Sequence, residues 1–159
     1  MRKQKGFSLI ELLIVVAIIL IIAAIAIPNL LRSRIAANEA SAVGSMRTLN
    51  TAQVTFASTY PDQGFAQTLA QLGPSSATQT SANTANAMLI DSVLSSGTKS
   101  GYIFTLTPTQ TTLPVPAYST LSYPVILDQT GKRSFYSDAS GVIRYNATGS
   151  ATSASSPLQ

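Results

Sequence analysis

The chain has 159 residues, 10 basic and 6 acidic side chains, a formal net charge of +4, and neither cysteine nor histidine. This composition excludes a histidine-based catalytic triad, a thiol nucleophile, a zinc site of ordinary ligand spacing and any disulfide, and the length allows at most one globular domain. Three basic residues lie within the first five positions, so seven basic against six acidic side chains remain. This near-neutral remainder carries no dense basic stripe, and we predict no nucleic-acid partner.

An apolar run of 21 residues, Phe7–Ile27, follows the basic stretch MRKQKG at residues 1–6. A helix of that length is roughly 30 Å long, which is enough to cross the hydrocarbon core of a bilayer. Glu11 is the only charged residue in the run. A carboxylate inside a membrane-spanning helix costs about 2.5–3.5 kcal/mol unless something compensates it. The function must therefore explain Glu11.

Three kinds of segment have this pattern. The run could be a plain membrane anchor, or a secretory signal peptide cut after Ala26, where Ala24-Ile25-Ala26 has the small-x-small form of a cleavage site. A signal peptide usually has an apolar core of about 7–15 residues, and this run is longer and contains Glu11. The third possibility is cleavage before the run, at the end of the basic stretch.

The sequence Gly6-Phe7-Ser8-Leu9-Ile10-Glu11 resembles the processing site of type IV prepilins and the related pseudopilins. The resemblance implies a leader peptide at residues 1–6, cleavage between Gly6 and Phe7, and N-methylation of Phe7. It also places Glu11 at the fifth position of the mature chain. Pro28 stands where many type IV pilins have a proline that weakens the helix.

Cleavage after Gly6 would leave a positive amine on Phe7, four residues before Glu11. On a helix these two groups share one face and lie about 6 Å apart along the axis. They could approach each other in a lone subunit, or pair between neighbours in a bundle of staggered helices, where the pair would set the stagger. The alternative is that Glu11 simply lies near the lipid headgroups.

The apolar pattern predicts a transmembrane helix at residues 7–28, which the resemblance implies would also form the filament core. An amphipathic helix is predicted at residues 29–60, and Tyr60-Pro61 ends it. Pro28 removes one N–H and should kink or loosen the helix over Ala24–Ile27, or else stop it at the membrane edge. We expect the apolar stripe of the second segment to pack under a sheet. This stripe consists of Leu31, Ile35, Ala42, Met46, Leu49, Ala52, Phe56 and Tyr60. Glu39 could pair with Arg32 or Arg34 as an exposed ion pair, or with another subunit.

The remaining chain predicts a connecting region and then a sheet. Residues 61–100 would form a loop region with a short helix that places Phe65, Leu69 and Leu72 in the core. Residues 101–146 would form an antiparallel sheet of about four strands, and residues 147–159 a flexible tail. The predicted strands are Tyr102–Thr107, Tyr118–Leu127, Arg133–Ser137 and Val142–Asn146. The predicted fold class is α+β and similar to the type IV pilins, with the apolar half of the long helix protruding.

The resemblance implies a structural subunit of a pilus-like extracellular filament, a homo-oligomer with no enzymatic activity, no cofactor and no metal. Asp128 and Asp138 lie in glycine-containing turns, where bonding to their own backbone is the preferred interpretation over calcium binding. The implied protein partners are a prepilin peptidase and methyltransferase, and an inner-membrane assembly platform with its ATPase. The resemblance also implies that the inner membrane holds the precursor. The mature subunit would then join a filament on the cell surface. The alternatives are a pseudopilin of a type II secretion system and, less favoured, a non-polymerising single-span membrane protein.

Overall fold

The computed structural model describes residues 6–76 and 78–158. Within them lie a long helix, two short helices and a sheet, and the fold is of the predicted α+β class, with a long N-terminal helix followed by an antiparallel sheet. The helices are α1 (Leu9–Thr59), α2 (Leu69–Leu72) and α3 (Ser92–Ser95); the strands are β1 (Thr98–Lys99), β2 (Tyr102–Pro108), β3 (Tyr118–Pro124), β4 (Ser134–Asp138), β5 (Arg144–Asn146) and β6 (Ser156–Pro157).

The chain divides into two compact units, one up to Arg34 and one from Ile35 onward. In the first unit, the large apolar side chains from Phe7 to Leu31 are 40–80% exposed. The second unit, which we call the head, has a core in which Met46, Leu49 and Phe56 are completely buried. The apolar side chains of the first unit have no comparable packing among the described residues.

Helix α1 remains helical through Pro28 and ends at Thr59. The alternative of a helix stop at Pro28 is therefore wrong, and since proline removes only one backbone donor, the helix continues on both sides of it. Of the predicted apolar stripe, Ile35, Ala42, Met46, Leu49, Ala52 and Phe56 are buried, whereas Leu31 is 40% exposed and Tyr60, just beyond the end of α1, is half-buried. The buried face also includes Val43 and the polar residues Glu39, Ser45 and Gln53.

The sheet is antiparallel throughout, and its six strands lie side by side in chain order. The four predicted strands are its central members, but β3 ends at Pro124 and not at Leu127, and β5 begins at Arg144 and not at Val142. The two short edge strands, β1 and β6, had no signal in the sequence. Strand β2 buries Tyr102 and Phe104 on one face, as the alternation predicts. Of the predicted connecting residues, Leu69 and Leu72 are buried, while Phe65 is half-buried against the ring of Tyr118.

The prediction of a flexible tail is wrong for residues 147–158. Strand β6 pairs with β5, Ala151 is buried, and the Leu158 N–H donates to the Ile143 carbonyl at 2.8 Å. The Ser134 hydroxyl also donates to the Gly149 carbonyl. The small polar side chains of this segment suggested disorder. The segment is instead held by backbone hydrogen bonds, which amino-acid composition does not reveal.

Candidate functional site

The predicted cleavage site lies in the exposed, non-helical residues that precede α1. Gly6, Phe7 and Ser8 are all exposed. A Cβ atom added at Gly6 would meet nothing within 4 Å. Packing within the described chain therefore does not require glycine at position 6. Recognition of this residue by another molecule would account for glycine better than packing does. Met1–Lys5, the rest of the predicted leader, lie outside the described residues.

Glu11 closes the first turn of α1. Its Oε2 atom accepts a hydrogen bond from the Ser8 backbone N–H at 2.9 Å. Ser8 directly precedes the helix and Glu11 occupies its third position, so the carboxylate satisfies an otherwise unpaired N–H and lies at the positive end of the helix dipole. The negative charge thus points back toward the residue that would carry a new amine after cleavage.

The structure brings Gly6, Phe7 and Glu11 together at the beginning of α1, but it does not bring Pro28 to them. Pro28 follows Glu11 by 17 residues, which is roughly 26 Å along a helix. Pro28 is exposed, like the apolar residues on both sides of it. Any role of Pro28 therefore concerns the shape or flexibility of the helix.

Helix α1 is long and apolar enough to cross a membrane, and its most apolar window has none of its residues buried. A signal sequence near an N-terminus has the same property. The helix is therefore suited to lipid or to the helices of other copies, and its length and composition do not choose between them.

A second charged group, in the head, joins α1 to the sheet. The Glu39 carboxylate accepts from the Arg133 Nε–H at 2.8 Å and from the backbone N–H groups of Lys132 and Arg133 at 2.9 and 3.1 Å. Burial raises the pKa of Glu39, but the two backbone donors and the guanidinium outweigh burial and hold the pKa below its ordinary value. The interpretation of Glu39 as an exposed partner of Arg32 or Arg34 is therefore wrong within this chain.

The surroundings of Arg133 complete this helix-to-sheet contact. The guanidinium lies 5.6 Å from the ring centres of both Phe135 and Tyr145. The Tyr102 hydroxyl donates to the Arg133 carbonyl at 2.8 Å. Burial raises the pKa of Tyr102 above its ordinary value, and the nearby negative charge of Glu39 raises it further. The signal that could have revealed this contact was a single carboxylate within an apolar stripe, at the spacing of Ile35 and Ala42.

Asp138 has the local backbone partner that the preferred interpretation predicted, since its Oδ1 accepts from the Ser140 N–H at 2.9 Å. The Asp128 carboxylate instead lies 3.5 Å from the Lys132 ammonium, a side-chain partner four residues on. Among residues 6–76 and 78–158, no group of three or more Asp or Glu side chains could hold a metal ion.

Comparison with known proteins supports the N-terminal resemblance. A profile of the prokaryotic N-terminal methylation motif matches residues 1–27. The type IV wide pilus major component of Thermus thermophilus is 67% identical over 39 residues, which cover 24% of this chain and 30% of that protein. The type IV major pilin protein of Myxococcus xanthus is 48% identical over 54 residues, which cover 34% of this chain and 24% of that protein.

These matches span less than a third of the length of either relative. No solved structure matches the chain. The predicted resemblance to type IV pilins is confirmed, and both relatives are named as pilus proteins and not as enzymes. The roles assigned to Gly6, Phe7, Glu11 and Pro28 remain predictions.

Proposed function

We propose that this chain, whose N-terminal motif is that of the type IV pilins, is a structural subunit of a type IV pilus-like extracellular filament. One observation carries the proposal. An exposed apolar helical segment of membrane length begins just after the Gly6-Phe7 junction, and its single charged residue, Glu11, bonds back to the Ser8 N–H that precedes the helix. A plain anchor has no need of such a charge at that place.

The precursor would insert α1 into the inner membrane with the basic leader in the cytoplasm, as the positive-inside rule expects. A prepilin peptidase would cut between Gly6 and Phe7, and the new amine of Phe7 would be methylated. An assembly platform and its ATPase would then move the subunit from the membrane into a filament on the cell surface. The subunit itself would catalyse no reaction.

Cohesion of the filament would come mainly from the apolar side chains of α1, which are exposed in the single chain. Burying apolar surface stabilises by about 25 cal/mol per Å², and helices of many copies packed side by side would bury most of it. In the precursor, the bilayer already shields this apolar surface from water. Moving the helix from the bilayer into the filament therefore stabilises it less than moving it from water into the filament would.

Glu11 would determine the register between copies. In the precursor, its carboxylate accepts from the Ser8 N–H, one residue after Phe7. In a staggered bundle, the amine on Phe7 of a neighbouring copy would be the stronger partner, because a buried charge is tolerated only when it is paired. Pro28 would weaken the helix turn before it and allow neighbouring helices to pack closely.

Filaments sheared from the cell surface test this function. We expect mass spectrometry to find this chain as a main component, and we expect its deletion to remove the filaments. Gly6→Val should block processing and leave an unassembled precursor. A deletion that leaves surface filaments intact but abolishes secretion of exported proteins would contradict the proposal and favour a pseudopilin of a type II secretion system.

A further inference from the structure

The head balances most of its charged side chains internally. It contains five acidic and five basic side chains. Three ion pairs have nitrogen–oxygen distances of 2.8–3.5 Å, and they join Arg133 to Glu39, Lys99 to Asp91 and Lys132 to Asp128. A side-chain hydrogen bond from Ser140 lowers the pKa of Asp138, and the nearby charge of Arg144 lowers it further. Four charges of each sign therefore have an opposite charge nearby within the head.

Arg47 and Asp62 are the two charged side chains of the head that this pairing omits. Both are exposed, and among residues 6–76 and 78–158 neither has an oppositely charged group within 4.0 Å. Arg47 lies on α1, 12 residues before the helix ends at Thr59, which is about 18 Å along the helix axis. Asp62 belongs to the turn that follows the helix.

Backbone hydrogen bonds hold Asp62 at the far end of α1. The Gln63 N–H donates to the Tyr60 carbonyl at 2.9 Å, and the Val115 N–H donates to the Gln63 carbonyl at 2.8 Å. The turn is thereby fixed both to the end of the helix and to the loop between β2 and β3. Asp62 therefore cannot fold back over about 18 Å of helix to reach Arg47 of its own chain.

Arg47 stands beside an open groove of about 320 Å³ along α1. The groove is lined by Arg47, Thr48, Thr51, Ala52, Thr55 and Leu89. Its three threonine hydroxyls already donate to carbonyls of the same helix at 2.9–3.1 Å. The guanidinium of Arg47 therefore supplies the N–H donors of this groove. A partner that suits the groove offers hydrogen-bond acceptors and a negative charge.

We infer that this groove receives the turn Pro61-Asp62 of a second copy of the chain, so that the Asp62 carboxylate of one copy binds the Arg47 guanidinium of the next. The inference rests on the proposed function, in which parallel copies are stacked along a filament. The second copy would be displaced along α1 by about 18 Å or slightly more, since its Asp62 must lie beside Arg47. This contact joins two different patches of the same chain, and such a contact generates an open filament when its rotation does not close a ring.

Charge favours a second copy over a small anion as the occupant of the groove. An anion would neutralise Arg47 and leave Asp62 without a partner, whereas a second copy pairs both charges along the filament. An exposed ion pair contributes little to affinity, but complementary charges steer two surfaces together and fix their register. The pair would therefore select one displacement between heads, as Glu11 would between the apolar helices.

Cross-linking in assembled filaments tests the contact. The chain contains no cysteine, so Thr48→Cys and Pro61→Cys together place one thiol in the groove and one on the turn, and they keep both charges. Filaments sheared from cells that produce this variant would be treated with a short bis-maleimide and separated on denaturing gels. The control combines Pro61→Cys with Val93→Cys, since Val93 lies on α3, outside the groove, and is 53% exposed.

We expect a ladder of covalent multimers from cysteines at positions 48 and 61, because each copy would link to the next, and no ladder from positions 93 and 61. A variant with a single cysteine can form dimers at most. Filaments of normal yield that give no ladder from positions 48 and 61 would overturn the inference while the proposed function stands. If wild-type cells carry no filaments that contain this chain, the proposed function fails, and the inference fails with it.

Charge reversal tests the ion pair itself. Arg47→Asp should place like charges at the contact and lower the yield of sheared filaments several-fold, and Asp62→Arg should do the same. Combining the two substitutions exchanges the charges and should restore most of the yield. Normal yield from either single variant would overturn the ion pair. A double variant that assembles no better than the single variants would also overturn it, and would instead favour a small anion in the groove.

Discussion

Two carboxylates of the same helix, Glu11 and Glu39, have opposite surroundings. Glu39 is 7% exposed and has an arginine and two backbone donors within the head. Glu11 is exposed and, among the described residues, bonds only to the Ser8 N–H. The difference predicts different uses: Glu39 stabilises the single subunit, and Glu11 acts once its surroundings become apolar.

Replacing Glu11 by Gln keeps the shape of the side chain and removes its charge. We expect normal cleavage and methylation but a loss of filaments, because breaking a buried ion pair costs about 3–5 kcal/mol, which is more than about a hundredfold in subunit affinity. Immunoblotting of membrane and sheared fractions would measure both effects. Ile10→Val, which keeps an apolar side chain at an exposed neighbouring position, is the control. Filaments of normal yield from Glu11→Gln would refute the register role.

Replacing Glu39 by Gln should lower the stability of the head and change its pH dependence. Glutamine keeps one of the two acceptor oxygens, so part of the three hydrogen bonds should survive. A single charged hydrogen bond contributes about 1.5–3 kcal/mol, and we therefore expect a loss of roughly 1–3 kcal/mol at neutral pH. The pKa of Glu39 lies below its ordinary value of 4.5. The stability that it contributes is therefore fully present above pH 4.5 and declines as the pH falls through the folded-state pKa.

Chemical unfolding of the full chain in detergent, from neutral to acidic pH, measures this effect. The wild type and Glu39→Gln should differ most at neutral pH and converge in acid. Lys99→Ala provides a control, because it removes an exposed partner of Asp91 at 2.8 Å, where a change of only about 0–1 kcal/mol is expected. Equal stability of wild type and Glu39→Gln at neutral pH would disprove the contribution of the pair.

At the scale of elements, the C-terminal segment forms part of the sheet. Removing residues 147–159 would delete β6, the buried Ala151 and the contact of Leu158 with the core. A typical intramolecular hydrogen bond contributes about 1 kcal/mol, so we expect the truncated head to lose roughly 2–4 kcal/mol in the same unfolding assay. Ser153→Ala, at an exposed position of the same segment, should have no measurable effect. If the truncated chain is as stable as the wild type, residues 147–159 do not contribute to the stability of the head, and the original prediction of a flexible tail is correct.

Elements with a strong side-chain period were predictable from the sequence. The stripe from Ile35 to Phe56 and the alternation in β2 mark α1 and the sheet, since each buries one face. The edge strands β1 and β6 have two residues each, too few to show a period, and they depend on backbone pairing. The partner of Glu39 was not predictable either, because Arg133 lies 94 positions away and meets it only through the fold.

The N-terminal motif could be recognised in the sequence because its residues lie within six consecutive positions. In the proposed function, Gly6, Phe7 and Glu11 would need no tertiary contact to be recognised by a peptidase or to present an amine and a carboxylate. Residues 125–127 are the opposite case. Val125, Ile126 and Leu127 continue the predicted strand in the sequence, but the observed β3 ends at Pro124 and leaves them exposed.

At the scale of the whole molecule, the proposed cleavage would separate two states of the chain. With residues 1–6 attached, the helix start would carry a basic leader that favours the cytoplasmic side of the membrane. Without them, Phe7 would carry a single positive charge, and the remaining chain would suit a compact bundle in which that charge meets a carboxylate. Processing would therefore convert a membrane protein into a building block.

Mass spectrometry of the mature N-terminus in material taken from producing cells tests this account most directly. We predict that the chain begins at Phe7 and carries one methyl group on its amine. A chain that retains Met1–Gly6, or one that begins at Ile27, would contradict the account, since neither presents an amine to the carboxylate of Glu11.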